Sequence, residues 1–316
     1  MAGQARAAVA VSGAHHSSWN REVRPLAEGS GTVRALAKWD GAIEYRDDVT
    51  RTLREMFEKA GRGSAASELE QYRDALGVVL HENVHLLAAR GTSHGMGSEA
   101  FREGAVSALE EGVTEAYKRI ALDVYIDELG LERIAPGLKS VRADRSYPQY
   151  VPAAEVFAAA VGRRVDLAGN EVLRRLAVVN CEDKFRVAAE LVYQASELPD
   201  LVPQQHRAVA IDRIVTGMKE PFAKIADFDP DDPLDIRMSP LAGAQADRAG
   251  YQQVRELTAF WQANQDLRKT LDIGLDRGAR GPSAANSRNT NQATGRGANG
   301  RLARGDQSHC RPIERD

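Results

Sequence analysis

The run Leu76-Gly-Val-Val-Leu80, followed by His81-Glu-Asn-Val-His85 and then Leu86-Leu-Ala-Ala89, constrains the fold more than any other stretch of this 316-residue chain. Its spacing predicts a helix from about Ala65 to Arg90, entered through a Gly/Ser break at Gly61 to Ser64 and ended by Gly91. Apolar flanks on both sides predict that the helix is buried. The i, i+4 spacing of His81 and His85 puts both imidazoles on one face, one turn apart. A buried helix carrying two histidines and Glu82 must find partners for all three polar groups, because an unpartnered polar group in a core is costly. Two imidazoles so placed can hold one Zn²⁺ at about 2.0 to 2.1 Å. Glu82 then lies beside the metal without ligating it, where a carboxylate can take a proton from water and return it to a leaving group.

Around this helix the pattern predicts an α-rich α+β protein. Gly41 to Val49 alternates about Ile43 and Tyr45 and is the best strand candidate. A helix is expected from Asp48 to about Ala60, and another from about Ser98 to Leu129, stopped by Gly130. A connector from Ala135 to Tyr150 carries Pro136 and Pro148. Further helices are expected near Pro152 to Val161, Leu167 to Val179 with Asp166 as N-cap, Glu182 to Ser196, and Gln204 to Lys219. A polar stretch from Asp227 to Met238 precedes a last helix near Ala246 to Leu271. No internal repeat is present.

A catalytic zinc site needs a third protein ligand and leaves the fourth position to water. His94 is the nearest candidate. The elongated metzincin motif fails, because Ala88 stands where it needs Gly and Gly91 where it needs His or Asp. The better candidates lie in Leu109-Glu-Glu-Gly-Val-Thr-Glu-Ala-Tyr117, where Glu111 follows His85 by enough residues for a loop and a returning antiparallel helix. Glu115 sits one turn beyond Glu111 on the same face. Glu110 is the rival ligand if the register differs by one.

His81-Glu-x-x-His85 followed by Glu111-Gly-x-Thr-Glu115 resembles the gluzincin group of zinc metallopeptidases. The resemblance covers about Gly41 to Lys118. It implies a zincin-like metal-binding core, Glu111 as third zinc ligand, and Glu115 as the carboxylate that orients a ligand histidine. It also implies Glu82 as general base, a protein or peptide substrate, and an edge strand such as Ala42 to Asp47 that takes extended peptide. A weaker likeness, carried by the same motif and Ser146-Tyr-Pro-Gln-Tyr150-Val, is to metallopeptidase domains of bacterial secreted toxins. Peptide hydrolysis also needs a donor for the oxyanion. Tyr147 is the first choice for that role, with Tyr150, Arg142, Arg145 and His206 behind it.

Four segments are expected: a flexible arm at 1–30, the zincin-like core with a small N-terminal sheet at 31–150, a C-terminal helical subdomain at 151–275, and a disordered basic tail at 276–316. The last 40 residues hold eight Arg, three acidic residues and six Gly, with almost no large apolar side chain. They carry +5, so the chain's formal −3 leaves −8 for the rest. An acidic body argues against a domain built mainly to bind nucleic-acid phosphates; only the basic tail could do that, and it lacks aromatic groups for stacking on single strands. No membrane partner is expected, since no stretch reaches 18 consecutive apolar residues. The start is too weakly apolar for a signal peptide, which predicts a protein cytoplasmic at synthesis, with any export by another route. Two cysteines, Cys181 and Cys310, make no disulfide framework. Two alternatives to a peptidase are a zinc-stabilised binding or regulatory module and metal-assisted chemistry on a non-peptide bond.

Overall fold

The computed structural model describes residues 2–27, 32–142 and 146–278, with side chains to residue 271. In chain order the elements are α1 (Ala2–Ser12), β1 (His16–Ser17), β2 (Val23–Pro25), β3 (Ala35–Ala37), β4 (Ile43–Tyr45), α2 (Asp47–Glu58), α3 (Ala66–His85), β5 (Leu87–Ala88), α4 (Gly104–Glu128), α5 (Val151–Val165), α6 (Gly169–Ala177), α7 (Lys184–Gln194), α8 (Leu198–Leu201), α9 (Arg207–Ile225) and α10 (Pro233–Gly278). The protein is mostly helical with a small sheet, as the periodicity predicts. The described residues up to Arg268 pack as one unit; of the second unit, from Lys269, only the end of α10 is described.

The flexible arm expected at 1–30 is corrected for its described residues, 2–27. Residues 2–12 form α1, which buries Ala5, Ala7 and Ala8 and packs on α3 and α4. Alanine is the best helix former and is small enough for close helix contact, so a segment of low hydrophobicity still docks. β2 joins the three-stranded sheet, parallel to the central strand β4, with β3 antiparallel on its other side. The strand expected at 41–49 is β4 alone, because Asp47 and Asp48 already occupy the first turn of α2. There they complement the positive end of the helix dipole.

The metal-motif helix also ends earlier than its apolar run. α3 stops at His85, and Leu87 and Ala88 pair antiparallel with Ser17 and His16. Continuous burial satisfies a short strand as readily as a helix, so hydrophobicity alone places the end too late. At its start, the Glu68 carboxylate accepts the Ala65 N–H at 2.9 Å, satisfying one free donor of the first turn.

α4 packs against α1, α3, α5, α6 and α9, so the boundary expected at residue 150 does not divide the packing. Gly112 sets the approach of α5. A Cβ there would lie 2.9 Å from Tyr150 O and 3.0 Å from the Ala154 Cβ. Gly112→Ala is therefore expected to destabilise. Overpacking of about 1–3 kcal/mol exceeds the roughly 0.5–1 kcal/mol that alanine returns in helix propensity. A denaturation midpoint at or above wild type would contradict this.

Asp166, expected as the N-cap of the next helix, instead ends α5 in the left-handed conformation at φ 55°, and Ala168 precedes α6. The short polar side chain of Asp tolerates that conformation, which turns the chain between the two helices. α9 runs past Lys219 to Ile225 with Pro221 inside it, and α10 starts at Pro233, within the stretch expected to be a polar break. Buried Pro221, Phe222 and Ile225 show why α9 continues: tertiary packing outweighs the lost helix bond. The tail expected at 276–316 lies, from residue 279 on, outside the described residues, as do Cys310 and Arg145.

Candidate metal centre

The last turns of α3 and the first half of α4 run antiparallel. His85 meets Glu110 and His81, one turn earlier, meets Glu115, one turn later. Both helices are buried here, with His81 5%, His85 8%, Glu110 3% and Glu115 0% exposed. The four polar groups must therefore satisfy one another, and they do so in two sets. His85 Nδ1–H donates to Glu110 Oε1 at 2.7 Å, and Thr114 Oγ1 donates to the same oxygen at 3.3 Å. His81 Nδ1–H donates to Glu115 Oε2 at 3.2 Å. Each carboxylate has its own cation: Lys184 Nζ lies 3.1 Å from Glu110 Oε2, while Lys118 Nζ and Arg119 Nε lie 2.8 and 3.1 Å from Glu115 Oε1.

These bonds set the histidine tautomers. With each Nδ1 carrying the proton, both Nε2 atoms present lone pairs, and they face each other at 3.0 Å. Glu111 Oε2 completes the group, 3.3 Å from His81 Nε2 and 3.5 Å from His85 Nε2, buried and without a hydrogen bond. His81, His85 and Glu111 thus offer three ligand atoms within 4.8 Å of one another, and the group could hold a metal ion. Three acceptors converging on one point in a buried pocket fit a cation, and their nitrogen–oxygen chemistry suits zinc among others.

The titration pattern agrees with a pocket built around positive charge. Burial alone would raise Glu110 and Glu115, but Lys184 with His85 in one case, and His81 with Lys118 in the other, outweigh it and hold both carboxyls at about 2. Burial opposes protonation of His85, yet Glu111 and Glu110 keep its imidazole well above the ordinary value, so the positive charge that a proton on Nε2 supplies is the one a bound cation would replace.

Glu82 lies beside the group at 6% exposure. Its Oε2 accepts the Ala37 N–H from β3 at 2.7 Å, which ties the carboxylate to the sheet. Burial pushes this carboxyl above its ordinary value, with His81 and His85 pulling the other way. Glu82, His85 and Glu111 open on a cleft of about 250 Å³ whose walls include Leu36, Lys38, Trp39, Phe101 and Tyr147.

Tyr147 stacks its ring on His81, with centroids 5.2 Å apart and planes 4° from parallel. Its backbone sits at φ 55°, uncommon for a bulky residue, and is fixed there because its carbonyl accepts the first N–H groups of α5 from Tyr150 and Val151. Arg119 Nη2 donates to Ser146 O at 2.7 Å and ties this connector to α4. Burial, and then Glu111, pushes the Tyr147 phenol far up, so it remains a donor.

The other candidates lie differently. Tyr150 donates its hydroxyl to Ala226 O at 2.9 Å. His206 precedes α9 and packs on Trp261, and Arg142 is exposed on the connector. His94 is not in the ligand group. It stacks on Trp39 at 4.4 Å, its ring 6.4 Å from that of His85, and burial with His85 beside it lowers its imidazole to about 4.

In the sequence Glu110 stands out only as a rival ligand, and Lys184, Lys118 and the Ala37 N–H do not stand out at all. Lys118 could have been found from its spacing, one turn after Glu115 on one helix face. Lys184 leaves no local signal, since only packing of α7 brings it to α4. No protein-family model, curated protein or solved structure matches this chain.

Proposed function

We propose that the protein is a zinc-dependent peptidase with a zincin-like core. The observation that carries this is the convergence of His81 Nε2, His85 Nε2 and Glu111 Oε2 on one point, with a non-ligating Glu82 beside them at the cleft. A bound zinc ion supplies Lewis acidity toward water and toward a peptide carbonyl. Glu82 takes the proton of the attacking water and passes it to the leaving amine, a role suited to a buried carboxyl raised above its ordinary value. The Ala37 N–H holds one Glu82 oxygen still beside the cleft that Glu82 lines. Tyr147, a phenol that stays protonated beside Glu111, donates to the oxygen on which negative charge develops. Trp39 and Phe101 offer an apolar wall to a substrate side chain.

A metal-stabilised binding module is the second reading. What favours hydrolysis over it is Glu82, a buried carboxylate turned to the cleft and engaged by neither histidine nor lysine. The test is zinc content together with proteomic cleavage profiling of a denatured protein mixture, with Glu82→Gln as the comparison. Cleavage that needs zinc and Glu82 supports the peptidase. Stoichiometric zinc without any Glu82-dependent cleavage sinks it in favour of the module. Once a cleaved peptide is in hand, Tyr147→Phe is expected to lower kcat by about 10²–10³-fold, the cost of one oxyanion donor, with little change in KM. An equal rise in KM with kcat intact would make Tyr147 a packing group.

A further inference from the structure

We propose that Lys184 is a positioning residue of the metal centre: its buried ammonium is the fixed countercharge that holds Glu110 against His85 Nδ1 and so aims His85 Nε2 at the metal. The inference rests on the metal centre proposed above and gives the helices beyond residue 150 a part in it.

Lys184 is the first residue of α7 and is 1% exposed. Its ammonium donates to Leu176 O at 2.8 Å and Val179 O at 3.1 Å, and it forms an ion pair with Glu110 Oε2 at 3.1 Å, an oxygen that accepts no hydrogen bond. The two carbonyls, at and just past the end of α6, seat the charge independently of Glu110. They cannot neutralise it, and an ammonium in a core needs an anion. Glu110 is equally in need of a cation, and it divides its oxygens, Oε2 to Lys184 and Oε1 to His85. The result is a three-member chain from α7 through α4 to α3. The other ligand differs in that Glu115 draws both of its cations, Lys118 and Arg119, from its own helix. Without Lys184, Glu110 would be a buried carboxylate with no cation but its histidine, and only the 3.3 Å bond from Thr114 would fix the plane it offers to Nδ1. Groups behind metal-ligating histidines typically govern metal affinity by about 10–100-fold.

A bland alternative exists: Lys184 merely caps the end of α6. A double-mutant cycle on the full chain separates the two. Zn²⁺ affinity is measured by competition with a chromophoric chelator, and the Co²⁺-loaded absorption spectrum is recorded, for wild type, Lys184→Met, Glu110→Gln and the double variant. Each single change is expected to weaken Zn²⁺ binding about 10–100-fold and to shift the Co²⁺ bands alike, and the double variant to bind no worse than Glu110→Gln. Wild-type affinity and spectrum in Lys184→Met overturn the proposal, and so do losses that multiply in the double variant. Should Lys184→Met alone not fold, the double variant against Glu110→Gln still decides, since it leaves no unpaired charge. Weaker binding by the double variant, or its failure to fold, shows that the ammonium serves something other than Glu110. A wild-type protein that binds neither Zn²⁺ nor Co²⁺ overturns the metal-centre reading itself and this inference with it.

Discussion

Glu82→Gln is expected to keep zinc at wild-type stoichiometry and to lower peptide cleavage by about 10²–10⁴-fold, the usual contribution of a general base. The amide is nearly isosteric, and its carbonyl oxygen can go on accepting the Ala37 N–H that now reaches Glu82 Oε2 at 2.7 Å. Geometry is therefore retained and only proton affinity is lost. Burial raises the Glu82 carboxyl in the native protein, which suits a group that takes up and releases a proton within one turnover. Glutamine cannot do either. Cleavage within a few-fold of wild type in a zinc-loaded Glu82→Gln protein would remove Glu82 from the mechanism. Loss of zinc in the same variant would instead assign Glu82 a ligand role that its bond to Ala37 argues against.

Glu111→Gln is expected to act in the opposite way, on the metal first. Glu111 Oε2 is the sole carboxylate oxygen of the proposed ligand group, 3.3 and 3.5 Å from the two imidazole nitrogens and without a hydrogen bond of its own. Replacing it by an amide removes a negative charge from a site that must neutralise a dication, and it substitutes a weaker donor. The loss of zinc affinity should exceed the roughly 10–100-fold seen when a group behind a ligand is removed. Metal content after extensive dialysis, measured elementally, is the direct readout, and excess zinc should restore part of any cleavage lost. Full zinc retention with unchanged affinity would move the third ligand elsewhere, to Glu110 or His94. Glu110 is already committed to His85 and Lys184, and His94 stands outside the ligand group, so neither is placed for that role.

The parts of this centre that could be foreseen are those governed by spacing along one helix. His81 and His85 share a face because they are four residues apart, and Glu111 and Glu115 share one for the same reason, so each pair meets the other once the helices return on one another. What depended on packing between elements was not legible. Lys184 reaches Glu110 from α7, and Ala37 reaches Glu82 from β3. The end of α3 was misplaced because Leu86 to Ala88 are buried in a strand pairing whose partner, His16–Ser17, lies in a segment too polar to suggest order. Asp166 illustrates a different limit: the same short polar side chain that caps a helix start also tolerates φ 55° at a helix end, and composition does not choose between them.

The contact between Lys184 and Glu110 also has a bearing on biosynthesis. The proposed ligand group and its supporting carboxylates occupy residues 81 to 115, yet the carboxylate on the His85 side stays without its countercharge until α7 has been made. At about 5–20 residues per second, the ribosome needs several seconds to add the chain between Glu115 and Lys184. During that interval the nascent helices α3 and α4 carry a carboxylate-rich, incompletely balanced pocket. On the proposed zinc reading, a polypeptide terminated before residue 184 should emerge with its ligand set complete in sequence but with Glu110 unpaired behind His85, and should retain the ion less well than the full chain.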